Sequence, residues 1–438
     1  MSHSIKNALK NRIVKNAGWL MIGRIIHMIL SFVIGLLTAR YLGPANFGVL
    51  NYAGAYTTFF MAFCTLGINS VIVKNFVDHP EESGETIGTT IVLRLISSFM
   101  SIGVIVGIVS IVDKGDKVTI LVVFLYSLSL LFQVFDTFNY WFQSKLMSKY
   151  YAIATLISYS IASAYKVLML ALNMSVEWFA VANSVDIGIV AVIMYIIYRK
   201  KGGPGFSVSF RKAKELLSVS CSYILSGLMV AIYAATDKVM LKHMLDESSV
   251  GFYSLAVSIA TVWAFVLAAI IDSMNPSIME YHNTDKRRYL IMNKRLYALV
   301  FYISILASAI ICVIAPVFIR VVYGEAYLPA VGPLRIVVWY VAFSYLGVAR
   351  NAWIVCERKQ KYLKYIYLSS ALINVALNFL LIPLMGTLGA ALASLLTQIA
   401  TVFGVPAIIR PLRPNTKMML DAILLRDVFP AKKKTEAQ

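Results

Sequence analysis

Apolar stretches of about twenty residues recur along all 438 residues of the chain, and no other feature constrains its fold as strongly. A helix needs about 20 mainly apolar residues to cross a hydrocarbon core about 30 Å thick, because an unpaired backbone group in lipid costs several kcal/mol. Windows of this kind cover approximately 17–39, 52–73, 86–112, 118–142, 152–172, 176–198, 216–236, 250–273, 296–319, 334–355, 363–384 and 388–409. They predict an all-α polytopic membrane protein with about twelve transmembrane helices. Only 14% of the residues are charged, against 59% hydrophobic, whereas ordinary soluble domains are about 25% charged. No polar stretch is long enough to form a separate globular domain.

Forty Lys and Arg against 21 Asp and Glu give a formal charge of +19, and the placement of the basic residues sets a direction. The N-terminus, the even-numbered loops and the C-terminal tail hold 29 of the 40, the odd-numbered loops hold 6, and five lie within spans. Cytoplasmic segments carry the excess of Lys and Arg, so both termini are expected in the cytoplasm, with the first apolar run retained as a span. A missed span would invert the sides partway along and erase the asymmetry. The short odd-numbered loops leave no room for an extracytoplasmic domain.

The longest internal loop contains Lys-Lys-Gly-Gly-Pro-Gly and separates the sixth and seventh spans, where a joint between two halves is expected. The predicted organisation is an N-terminal lobe (1–200), a cytoplasmic linker (201–215), a C-terminal lobe (216–411) and a basic cytoplasmic tail (412–438). An internal echo supports the halving. The run from Tyr41 through Gly48 to Ala53 recurs as Met244 through Gly251 to Ala256, at a constant offset of 203 residues. Six intervening spans give the two copies the same membrane orientation, with a transport path at their interface.

No nucleotide loop of the GxxxxGK[ST] type and no HExxH occurs, and the five histidines are scattered. The sequence therefore points to a protein that is not an enzyme and uses no cofactor, metal or nucleic acid. Its four cysteines, Cys64, Cys221, Cys312 and Cys356, show no pairing rhythm. The informative residues are intramembrane charges, since one at the bilayer centre costs at least about 2.5–3.5 kcal/mol. Asp186 lies near the midplane of its span, and Asp136 lies nearer a cytoplasmic end. Lys166, on the other arm of a helical hairpin, is within about 5 Å of the depth of Asp186 by helical rise, which makes an ion pair feasible. Arg24 and Arg94 sit about 10–12 Å inside spans that enter from the cytoplasm. Two readings stand open for them: snorkelling to the interface, or a shared anion site in which planar guanidinium groups grip a diphosphate. Arg350 is the candidate partner from the second half. Asp186 and Asp136 are candidates for ion coupling. Tyr140-Trp-Phe-Gln143 reads as packing or as a surface for sugar rings, and Gly103-xxx-Gly107 fits close helix approach.

The runs Ala39-Arg-Tyr-Leu-Gly-Pro-Ala-Asn-Phe-Gly48, Leu66-Gly-Ile-Asn-Ser70, Tyr140-Trp-Phe-Gln143 and Asp237-Lys-Val-Met-Leu-Lys-His-Met-Leu245, followed by Val250-Gly-Phe-Tyr-Ser-Leu-Ala256, resemble those of Wzx-type oligosaccharide flippases. These form a polysaccharide-biosynthesis family of the multidrug, oligosaccharidyl-lipid and polysaccharide exporter superfamily. The resemblance implies two six-helix lobes in a V that opens alternately to each face. It also implies translocation of undecaprenyl-diphosphate-linked oligosaccharide repeat units to the outer leaflet of the cytoplasmic membrane, for O-antigen, capsule or exopolysaccharide assembly. A polysaccharide polymerase and a chain-length regulator are the implied partners, besides the bilayer. Arg24 matches a cavity arginine of the first helix by helix and depth only. Arg94, Lys166 and Asp186 carry over as a charge pattern. The rival readings are a multidrug or cation antiporter of the same superfamily and, from another class, a membrane polysaccharide polymerase.

Overall fold

The computed structural model describes residues 2–428, with the side chains of 2–25, 70, 221–223, 225–226, 230 and 233–234 outside the description. The helices are α1 (Ser2–Cys64), α2 (Asn69–Asp78), α3 (Ser83–Val112), α4 (Lys117–Ser127), α5 (Ser129–Gln133), α6 (Thr137–Ser144), α7 (Lys149–Ala171), α8 (Val176–Lys200) and α9 (Phe210–Met244). They continue as α10 (Glu247–Thr261), α11 (Phe265–Thr284), α12 (Lys286–Val322), α13 (Val331–Cys356), α14 (Leu363–Met385), α15 (Thr387–Ile399), α16 (Val405–Ile408) and α17 (Arg413–Ile423). Among the described residues no strand occurs. The chain divides into two compact units, 1–251 and 252–438.

Ten stretches among the described residues are long and apolar enough to cross a membrane. The first, Ile26–Cys64, is broken at Gly43 (φ 72°) just before Pro44, so it consists of two helical arms. A left-handed φ costs glycine nothing, and the proline ring removes the next backbone donor. The expected second span, 52–73, is therefore misplaced: its helix starts at the Gly-Pro break and ends at Cys64. Leu66 (φ 51°) and Gly67 (φ 60°) then turn the chain into α2. The expected seventh span falls within α9, whose side chains are described only in part. α9 packs along α1 inside the first unit.

Each unit has its own core. In the first, Ile68, Ile72, Phe76, Phe138, Trp141 and Tyr198 pack together, which places Tyr140-Trp-Phe-Gln143 in a packing role. In the second, Tyr289, Leu296, Tyr297, Trp353, Ile354 and Met419 do so. Outside the cores the helices present apolar faces, as on α3 at Phe99, Met100, Val104 and Ile111 and on α12 at Val313, Val317 and Val321. A soluble protein rarely exposes such bands, whereas lipid solvates them.

The repeated motif meets itself. A Cβ on Gly48 would lie 1.8 Å from the carbonyl oxygen of Glu247, and one on Gly251 would lie 2.1 Å from that of Pro44. Both members of each pair map onto the other pair by the 203-residue offset, so the contact is reciprocal, as a two-fold relation between the copies requires. The expected close approach at Gly103 and Gly107 does not occur, since a Cβ at either meets open space.

The linker is seated, unlike the flexible joint its glycines suggest. Ser207 N–H donates to the Gly84 carbonyl (3.3 Å) and Ser209 N–H to Thr89 Oγ1 (3.1 Å). A Cβ on Gly84 or Gly88 would lie 2.2 Å from the Gly205 or Ser207 oxygen. Phe206 stacks on Tyr198 and Phe138, and Lys212 pairs with Glu82.

Candidate functional site

The first unit holds a cavity of about 190 Å³ among its membrane-crossing helices, lined in part by His27, Gln133, Asp136, Tyr151, Thr155 and Asp186. Both carboxylates singled out in the sequence therefore open on one space. His27 is supplied by α1 and Asp186 by α8, and Asp136 lies in a 3-10 turn, Val134–Asp136, between α5 and α6. Hydroxyl side chains create that turn. Ser127 and Ser129 donate to the carbonyls of Phe124 (2.8 Å) and Tyr126 (2.7 Å), and Thr137 donates to that of Val134 (2.8 Å). Such back-bonding competes with the helical ladder and bends it.

Asp186 is oriented by Ser158, whose Oγ donates to Oδ1 at 2.7 Å. The feasible ion pair does not close, since Lys166 and Asp186 make no charged contact within 4 Å among the described residues. They attract each other at longer range, and both act electrostatically on His27. Lys166 Nζ sits 6.0 Å from the ring centroid of Tyr159, and that ring is 4.1 Å from the His27 ring. The sequence reading passed over His27. Its signal was a titratable ring inside an apolar first span, at the depth of the charges on neighbouring helices.

Asp136 interacts with Tyr140, Asn139 and Tyr151 and with the charge of Arg94. Arg94 is only 2% exposed. Its guanidinium donates to Asn69 Oδ1 and to Thr137 Oγ1 (3.2 Å) and lies 5.8 Å from the Tyr140 ring centroid. It therefore does not snorkel. It ties together the break before α2 and the break before α6, and its Nε has no hydrogen-bond partner in the structure. Four of the six candidates, Arg94, Asp136, Lys166 and Asp186, thus belong to one network of two acids and two bases around the cavity.

Arg350 lies in the second unit, buried against the π-helical segment Ala400–Gly404, and donates to the Thr401 carbonyl at 3.4 Å. Its Nε is likewise unpaired. The side chain of Arg24 falls outside the described residues.

The chain matches the model of the family described as "Polysaccharide biosynthesis protein" over residues 13–282. It is 22% identical over 398 residues to the capsular polysaccharide biosynthesis protein CapF of Staphylococcus aureus, covering 88% of this chain and 96% of CapF. Its fold is similar to that of the lipid II flippase MurJ in an inward closed conformation. The TM-score is 0.72 at 12% identity, and 93% and 91% of the two chains are covered. It is also similar to an inward-facing MATE multidrug-resistance transporter of the MOP superfamily, with TM-score 0.62, 14% identity and 89% and 96% covered. The protein thus has the all-α, multi-pass membrane fold of these transporters. By its sequence the chain belongs to the polysaccharide biosynthesis protein family.

Proposed function

We propose that the protein is a flippase that carries undecaprenyl-diphosphate-linked oligosaccharide repeat units from the inner to the outer leaflet of the cytoplasmic membrane by alternating access. Both termini face the cytoplasm in this reading, and the lobes follow the repeat, 1–200 and 216–411 on either side of the linker. The observation that carries it is the balanced network around the intramembrane cavity, in a chain whose family serves polysaccharide assembly. Carboxylates that open on an intramembrane cavity are groups whose access to a cation changes when the conformation changes. Asp186 and Asp136 accordingly couple a proton or another monovalent cation to the movement. Arg24, Arg94 and Arg350 meet the diphosphate, and the unpaired Nε–H groups of the last two are donors suited to phosphate oxygens. The lipid tail stays in the bilayer while the sugar head group crosses in a polar passage.

A strain lacking the protein should lose surface polysaccharide and accumulate the lipid-linked repeat unit on the cytoplasmic leaflet. Plasmid-borne wild type should reverse both effects. Normal surface polysaccharide and no accumulation in the deletion strain would sink the proposal. The cation-antiporter reading draws on a specific observation, namely that the cavity is lined directly by two carboxylates and an imidazole, Asp136, Asp186 and His27. It predicts a different phenotype for the same strain, raised sensitivity to cationic drugs with polysaccharide intact. Polymerase and chain-length partners would appear as co-purifying proteins from polysaccharide-producing membranes.

A further inference from the structure

Away from the cavity, where α1, the α3–α4 turn and the end of α9 meet, the first unit contains a second cluster of charges. Lys242, 9% exposed in its side chain, pairs with Glu247 and lies 3.8 Å from Asp113 and 3.9 Å from Asp116. Next to it, Tyr52 Oη donates to Asp113 Oδ2 at 2.8 Å and lies 2.9 Å from His243 Nε2. One turn away, Lys238 Nζ donates to Asn51 Oδ1 at 3.3 Å. The reciprocal glycine contact, Gly48 on Glu247 and Gly251 on Pro44, lies in the same region. These residues come from the second arm of α1 (Asn51 and Tyr52), the α3–α4 loop (Asp113 and Asp116), the last turns of α9 (Lys238, Lys242 and His243) and the start of α10 (Glu247). They sit beside odd-numbered connections.

We infer that this cluster is a latch that holds the outer side of the transporter closed, with Lys242 as its pin. The inference rests on the orientation and alternating access proposed above. The physical argument is charge imbalance. Three carboxylates on two different segments, Asp113 and Asp116 in the α3–α4 turn and Glu247 at the start of α10, converge on one ammonium, while Lys114 and Lys117 are exposed. With Lys242 in place each acid has a cation in reach. Without it, like charges that are mostly shielded from water repel at short range, in surroundings where the interaction is far stronger than in bulk water. The segments that carry them must then separate. The glycines set the resting distance, because only a residue without Cβ lets the two motif copies touch through their backbones. Lys242 is thus a positioning residue, acting on the state of the outer passage and making no contact with cargo.

The reporter position is Ala55, which is 2% exposed. It is four residues from Asn51, which accepts from Lys238 of α9, and seven from Ala62, whose Cβ faces Gly227 of α9. Residues at these spacings share one helix face, so Ala55 lies against α9 and becomes reachable only when the two helices part. In a background without the native cysteines, Ala55→Cys is labelled in intact cells with a membrane-impermeant maleimide. Lys242→Gln should raise the labelling rate about tenfold, a shift in the open population of that size. Gly251→Ala, which places a methyl group on the Pro44 carbonyl, should raise it as well. Adding Asp113→Asn and Asp116→Asn to Lys242→Gln should bring the rate back toward that of the parent, which a merely unfolded variant would not do. A parental rate in Lys242→Gln, or a raised rate that neutralising the acids fails to lower, would overturn the latch. Labelling does not depend on which cargo moves. A shifted rate in a protein whose deletion leaves surface polysaccharide intact would therefore uphold the latch and remove the flippase reading.

Discussion

The two units bury polar groups in different ways. The first surrounds a cavity with groups that change charge: Asp136, Asp186 and His27 on its wall, with Lys166 and Arg94 within electrostatic reach. The second buries amides and hydroxyls, with Asn415 donating to Tyr297 Oη (2.7 Å), Ser370 bonded to Thr401 (2.6 Å) and Tyr253 bonded to Ser394 (2.9 Å). Among its described residues no carboxylate is buried. The one feature they share is an arginine beside a tyrosine on the neighbouring span, Arg94 of α3 with Tyr140 of α6, and Arg350 of α13 with Tyr297 of α12. Corresponding helix pairs carry the couple with the roles exchanged. The lesson is that the groups able to take up and release ions collect in one unit, while the other is held by neutral polar bonds.

The largest expected effect separates the copies by chemistry. Asp186→Asn should reduce surface polysaccharide to the level of the deletion strain while leaving the amount of protein in the membrane unchanged. It keeps the bond from Ser158 but removes the charge. Asn415→Ala, in the second unit, should leave Tyr297 without its partner at a cost of about 1–3 kcal/mol. It should lower the amount of folded protein without lowering export per molecule. Immunoblots of membranes alongside polysaccharide quantification check both. If the amide variant stops export at full protein level, the proposed division of labour is broken.

The two arginines sharpen the same contrast through stability. Arg94→Ala removes the charged donor from Asn69 and Thr137, bonds worth about 1.5–3 kcal/mol each, and takes the neighbouring positive charge from the half-buried Asp136. Arg350→Ala frees a carbonyl and tyrosines but strands no carboxylate, so about 1–3 kcal/mol is expected. Thermal inactivation of the detergent-solubilised protein should rank Arg94→Ala well below Arg350→Ala. Arg94→Lys should recover only part of the loss, because an ammonium cannot reach Asn69 and Thr137 in the fixed fork of a guanidinium.

How much of this could be read in the sequence depended on the range of the interaction involved. Helix content follows from the bilayer's demand on every backbone group, so the apolar windows find the helices. Their ends depend on single residues, and Gly43-Pro44 and Leu66-Gly67 moved the second span away from its hydropathy maximum. Asp136 and Asp186 could be recognised one by one because a charge in lipid is costly. Their meeting in one cavity depends on how four helices pack, which composition does not report. Glycine spacing misled for the same reason. Gly103 and Gly107 face outward, whereas glycines at close contacts include Gly84 and Gly88, beside the start of the expected third span, and Gly48 and Gly251 of the repeated motif. The linker's glycines do not report its seat, which Tyr198, Phe206 and α3 provide within the first unit. Gly88→Ala should therefore loosen it by about 1–3 kcal/mol through overpacking. Trypsin cleavage after Lys200 and Lys201 should accelerate, while Gly103→Ala leaves it unchanged.

The smallest effect tests whether the first unit's concentration of charge also makes it acid-sensitive outside the membrane. Asp116 caps α4, with Oδ1 accepting from Thr119 N–H at 3.0 Å and its carboxylate accepting from the Thr119 hydroxyl. Partial burial pushes its pKa up, but the Thr119 bonds and the Lys242 charge outweigh this and hold it below the ordinary 3.8. A carboxylate whose folded pKa is lowered stabilises the fold above its unfolded value, and that contribution disappears as the pH falls through the folded value. Stability from this cap should thus be complete at neutral pH and should decline only once the medium is more acid than about pH 4. Asp116→Ala should remove about 1 kcal/mol at neutral pH, the usual worth of such a cap. It should also flatten the acid limb of a stability–pH curve measured for the solubilised protein. In the second unit Asp285 caps α12 in the same manner, through the amides of Arg287 and Arg288, and its cation is the exposed Arg288 side chain at 3.3 Å, where solvent screens the pair, rather than a buried lysine. Asp285→Ala should therefore cost no more than Asp116→Ala, and a larger loss there would show that the first unit owes nothing extra to Lys242.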